Sequence, residues 1–162
     1  GILFGNSTAL YVRCVSGGTT APIPIYTDLG NSTIKDNRTG LIWQKCTMGQ
    51  TTPNCTGGFG YMTWLSANEY CKNLNLAPPR TWRLPNRNEL QSLIDYSKST
   101  IPTIDTTFFP NTQDKYWSSS TYANNTGLAW IVNFAFVDMA PIDKSASSSP
   151  NNMYKIRCVS GP

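Results

Sequence analysis

The chain has 162 residues, a formal net charge of +4 at neutral pH and no histidine. That length suits one domain with a genuine core. The missing imidazole excludes Ser-His and Cys-His catalysis and removes the commonest zinc ligand. So mild a charge permits an anionic glycan but does not indicate nucleic acid, and no apolar run approaches the roughly 18 residues of a membrane span.

Residues 1–18 read as two short strands about a Gly5-Asn6-Ser7 turn. Their run Tyr11-Val-Arg-Cys-Val-Ser-Gly17 returns at the other end as Tyr154-Lys-Ile-Arg-Cys-Val-Ser-Gly161. A closing strand normally occurs once per domain, so 1–18 reads as the closing strands of a preceding repeat or as a connector. Residues 19–25 then form a linker, and 26–162 the domain proper. With no signal peptide ahead of it, Gly1 reads as the start of an excised or processed fragment.

Strands are expected over Tyr26–Asp36 and Gly40–Gln44, with turns at Gly30-Asn31 and Asn37–Gly40. Cys46 to Gly60 is a Thr- and Gly-rich excursion. Ser66-x-x-Glu69 has the form of a capping box, followed by Ala67, Tyr70, Cys71 and Leu74 on one helical face. Asn86-x-x-Glu89 is a second box, with Leu90, Leu93 and Ile94 on one stripe, and Pro78, Pro79 and Pro85 separate the two helices. Strand patterns return at Tyr116–Ser119, Leu128–Phe136 and Met153–Val159. Strands, two helices, then strands make α+β the fold class, with a mainly antiparallel sheet.

Five cysteines point to an oxidising compartment. Cys46 and Cys55 flank one loop, so a local clasp is the simplest pairing; that leaves Cys71 to meet Cys158 and Cys14 unpaired or intermolecular. A rival pairing of Cys14 with Cys71 would make the N-terminal piece part of this domain.

The most specific run is Thr81-Trp-Arg-Leu-Pro-Asn-Arg-Asn-Glu-Leu90. Together with Thr39-Gly-Leu-Ile-Trp-Gln44, Tyr70-Cys71, Tyr116-Trp-Ser-Ser-Ser120, Ala129-Trp130 and Arg157-Cys-Val-Ser-Gly161, it closely resembles the domain at the C-terminus of the Legionella collagen-like adhesin, the Lcl C-terminal domain family. The resemblance covers about 26–161. It implies a disulfide-stapled relative of the C-type lectin fold, in which a helix cysteine commonly pairs with one in the final strand, and so supports Cys71–Cys158. It also implies an extracellular or cell-surface binding module, associated in that adhesin with sulfated glycosaminoglycans and with trimers.

The candidate ligand residues are Lys72, Arg80 and Arg87 around the helices, with Lys155 and Arg157 two apart on one side of the closing strand. Such a patch captures sulfate through charge-assisted bonds. Trp43, Trp82, Trp117 and Trp130 read as packing aromatics, and Arg83 as the partner of Glu89 or Asp95. The dispersed acids, and the absence of the Glu-Pro-Asn, Gln-Pro-Asp and Trp-Asn-Asp motifs of calcium lectins, give no metal site; no cofactor and no catalysis are expected. Two alternatives stand beside the glycan adhesin. One is a structural subunit of a filament or oligomer joined through 1–18; the other is a hypervariable receptor diversified among Tyr122, Asn124, Asn125, Asp138, Asp143, Asn151 and Asn152.

Overall fold

A computed structural model describes residues 25–76, 78–146 and 154–161. The expectations for 1–18, for most of the linker and for Cys14 lie outside the described residues, as do Asn151 and Asn152. The described chain is α+β: two antiparallel sheets, two short helices and two disulfides.

The first sheet takes β1 (Tyr26–Asp28), β2 (Thr33–Asp36) and β3 (Ile42–Gln44) from the opening meander. It is completed by β8 (Val159–Ser160) and β4 (Trp82–Arg83), in the order β1-β2-β3-β8-β4. The second is a meander of β5 (Lys115–Thr121), β6 (Leu128–Asn133) and β7 (Asp138–Asp143). Two elements escape the sequence reading. β4 is too short to carry a period. β7 contains Pro141, which a central strand would not tolerate but an edge strand can. β6 also stops at Asn133, three residues before its apolar pattern does, because Phe134–Val137 turn the chain and Val137 sits at φ 56°.

The closing segment is not the continuous strand expected over 153–159. Lys155 N donates to Lys115 O of β5 at 2.9 Å, whereas Met48 N donates to Ile156 O at 3.0 Å and Gln44 N to Cys158 O at 2.9 Å. Its backbone is therefore shared between the two sheets, and only Val159–Ser160 lies fully in one ladder, between β3 and β4.

The first helix, α1 (Trp64–Lys72), begins earlier than the Ser66–Glu69 box implies. Thr63 is the N-cap, its Oγ1 accepting from Ser66 N at 3.3 Å. The extra turn brings in Trp64, whose indole N–H donates to Ser118 O at 2.8 Å. At α2 (Arg87–Gln91) the box forms as read: Glu89 N donates to Asn86 Oδ1 and Asn86 N to Glu89 Oε2, at 2.9 and 2.8 Å.

One core cluster gathers Trp43, Leu90, Leu93, Ile104, Phe109 and Val132; a second holds Trp82, Leu84, Trp117, Ile131 and Ile156. Cys71 on α1 is bonded to Cys158, closing an 87-residue separation, and Cys46 to Cys55. With its sulfur so engaged, Cys71 is not the partner of Cys14.

Candidate functional site

The five predicted ligand residues do not come together, and two of them are interior. Arg157 is fully buried. Its guanidinium donates to Gln44 O (3.1 Å), Lys45 O (2.5 Å), Thr112 Oγ1 (2.9 Å) and Thr47 Oγ1 (3.4 Å), and lies 4.8 Å from the Phe109 ring centroid. Burial pushes its pKa below the ordinary arginine value, since desolvation disfavours the charge. Lys155 is 5% exposed, with Nζ on Asp114 Oδ1 at 2.5 Å and over the Phe59 ring at 4.9 Å. The expected basic face on the closing strand is therefore corrected: 155–158 is not a regular strand with one outward side, and every residue from Tyr154 to Ser160 is buried.

Arg83 pairs with Glu89 rather than Asp95, through a two-pronged contact of 2.8 and 2.6 Å. Burial would raise the Glu89 pKa, but the hydrogen bonds from Arg83 and the Asn86 amide outweigh it and hold the carboxyl below its ordinary value. Lys72 and Arg80 are exposed. Lys72 lines a shallow cleft of about 340 Å³ that also contains Glu69 and the already paired Arg83.

Arg87 has a different setting. It lines a cleft of about 430 Å³ between the start of α2 and the β5–β6 hairpin, with Asn86, Asn88, Ser120, Tyr122 and Trp130. The fold makes this space in a simple way. Val132 is buried in the same cluster as Leu90 and Leu93 from the α2 region. Trp130, two residues back, shares Val132's face of β6 but stays half-buried, beside Arg87 at the first residue of α2. The Arg87 guanidinium lies over the indole, 4.9 Å from its centroid, and Tyr122 meets the same ring edge-on at 5.4 Å and 83°. Two bonds fix the helix start to β5: Arg87 N to Ser120 Oγ at 2.9 Å and Ser119 N to Pro85 O at 2.7 Å.

Trp43, Trp82 and Trp117 are buried, as packing aromatics should be; Trp130 departs from that reading because it walls the cleft. Alternation along β6 places Trp130 opposite Ile131, but no sequence pattern states that α2 ends short of covering it. Among the described residues the ion pairs are Arg38–Asp36, Lys45–Asp28, Arg83–Glu89 and Lys155–Asp114, none of which involves Arg87. No cluster of three or more acidic or cysteine side chains suited to a metal occurs among them. No helix there is long and apolar enough to cross a membrane.

The chain matches the Lcl C-terminal domain over residues 32–160, from the turn before β2 to the end of β8. It belongs to the Lcl C-terminal domain family. None of the curated proteins matches the chain. This Lcl C-terminal domain is accordingly a bacterial surface-associated, adhesin-like domain. The matched span includes every residue that lines the Arg87–Trp130 cleft.

Proposed function

We propose that this domain is an extracellular adhesin module that binds a host or matrix glycan, with sulfated glycosaminoglycans among the candidates, in the cleft of Arg87, Tyr122 and Trp130. The observation that carries the reading is a guanidinium free of any carboxylate among the described residues and laid on a half-exposed indole in a concave site. Aromatic walls suit the apolar faces of a sugar, while the Asn86 and Asn88 amides and the Ser120 hydroxyl offer hydrogen bonds to its hydroxyl groups. Binding rather than catalysis is the proposed activity: four cysteines are held in disulfides, and the chain lacks histidine. A glycan array probed with the 162-residue chain tests this, and binding to no glycan would sink it. Thiol titration under native conditions tests the second half, since a reactive thiol pair within 26–161 would revive an enzyme.

A second reading, a strand-joined oligomer, is favoured by one observation. Arg157, Cys158 and Val159 each do a structural job, and Arg13, Cys14 and Val15 repeat those residue types in the same order. If 1–18 serves a neighbouring copy, its deletion dissolves the oligomer seen by light scattering, whereas an unchanged mass removes this reading.

A further inference from the structure

We infer that the cleft reads a single acidic group on its saccharide, a carboxylate or one sulfate, rather than a dense run of sulfates. This rests on the binding reading above and narrows it. Among the described residues Arg87 is the only charged one lining the cleft; its other walls are amides, hydroxyls, Ala123 and the two aromatic rings.

The other nearby cations are not among the residues lining this cleft. Arg83 is neutralised by Glu89, and Lys72 shares its own cleft with Glu69. Lys144 donates to Thr121 Oγ1 at 2.8 Å and lies over Trp64, 4.1 Å from the ring centroid. Lys155 and Arg157, which would have completed a polyanion stripe, are inside the protein.

Arg87 is suited to the remaining task. A planar guanidinium held against an indole is partly pre-ordered, and its donors match two oxygens of one acid group. A strip of sulfates needs a row of cations, and among the described residues the cleft lining offers one. The expected ligand is a sugar chain in which a ring bearing one acid group enters the cleft while its neighbours stay outside or contact uncharged surface.

The test is calorimetric titration of the 162-residue chain with three oligosaccharides of equal length: uncharged, uronate-bearing and heparin-derived. Each is repeated from low to physiological salt. The expected result is that an acidic ligand binds at least about tenfold more tightly than the uncharged one, the difference one charge-assisted bond provides. With the heparin-derived polyanion the affinity should fall with salt at a log–log slope near 1, as for one neutralised anion. The uronate arm distinguishes a carboxylate from a sulfate. Arg87→Gln should erase the acid preference, and Arg87→Lys should restore part of it, with thermal midpoints of both variants near that of the parent.

A slope of about 3 or more with heparin would overturn the single-acid inference while leaving glycan binding intact. So would an acid preference that survives Arg87→Gln. Failure of all three sugars, together with an array that shows no other ligand, removes the binding reading and this inference with it.

Discussion

Arg87 and Arg157 lie at nearly the same distance from an aromatic ring, 4.9 Å from Trp130 and 4.8 Å from Phe109, yet their surroundings are opposite. Arg157 is sealed between the two sheets and spends the donors of its two terminal nitrogens on carbonyl and hydroxyl oxygens of two separate segments, 44–47 and Thr112. Arg87 stands at the mouth of a cleft with its guanidinium uncommitted to any acid among the described residues. The contrast teaches that an arginine–aromatic contact carries no function by itself. What the remaining donors face decides whether the residue holds the fold or meets a ligand.

The contrast is sharpened first by removing what holds the Arg157 region in place. Replacing Cys71 and Cys158 together by Ala should lower stability by about 4–5 kcal/mol on the chain-entropy estimate for so long a loop. The Cys46–Cys55 clasp, with a separation of 9, should contribute less, about 3 kcal/mol. Denaturant midpoints measure both, and a reversed order would mean that strain or residual structure in the unfolded chain outweighs loop length.

Arg157→Met comes next. It keeps much of the volume but strands buried acceptors on Gln44, Lys45, Thr47 and Thr112, for a loss of roughly 3 kcal/mol. Any fall in glycan binding should then track the unfolded fraction. If Arg157→Met stayed as stable as the parent yet lost binding, the assignment of roles would be reversed.

A smaller effect concerns acid. Burial raises the Asp114 pKa, but the hydrogen bonds from Lys155 and from backbone amides, with the Lys155 charge, outweigh it and leave the carboxyl below its ordinary value. Glu89 is depressed likewise by Arg83 and the α2 cap. A depressed carboxylate stabilises the fold above its unfolded pKa, and that stability is lost as pH falls through the folded value. The domain should therefore weaken as the pH falls through and below the ordinary carboxylate range. Glu89→Gln should flatten part of that pH dependence, while an identical profile would show that the Arg83 pair does not couple to folding.

The smallest stability effect is expected from Arg87→Gln, within about 1 kcal/mol of the parent, because the side chain lacks an acid partner among the described residues and loses only its contact with the Trp130 ring. A loss beyond 2 kcal/mol would make Arg87 structural and bring it closer to Arg157.

Much of this was legible in the residues. The Asn86–Glu89 box, the opening meander and the α+β order follow from local chemistry and periodicity. The site was only half legible. Arg87 stood among the candidate cations, but Lys155 and Arg157 stood with it because a period of two says which residues share a side and not whether either side meets solvent. Trp130 looked like its buried counterpart Trp117, since both sit in strands of alternating pattern. Only the packing of α2 on β6, a long-range matter, covers Val132 and leaves Trp130 partly open. The start of α1 went astray for a local reason: Thr63 and Ser66 both have the chemistry of a cap, and the docking of Trp64 onto Ser118 favours the earlier one.

The most direct test of the central claim is to compare glycan binding by the parent chain, Trp130→Ala and Arg157→Lys at a temperature where circular dichroism shows all three folded. The account predicts that Trp130→Ala loses at least about tenfold in affinity, as removal of one aromatic wall should, while folded Arg157→Lys binds as the parent does. Full binding by Trp130→Ala, with loss confined to Arg157→Lys, would contradict it.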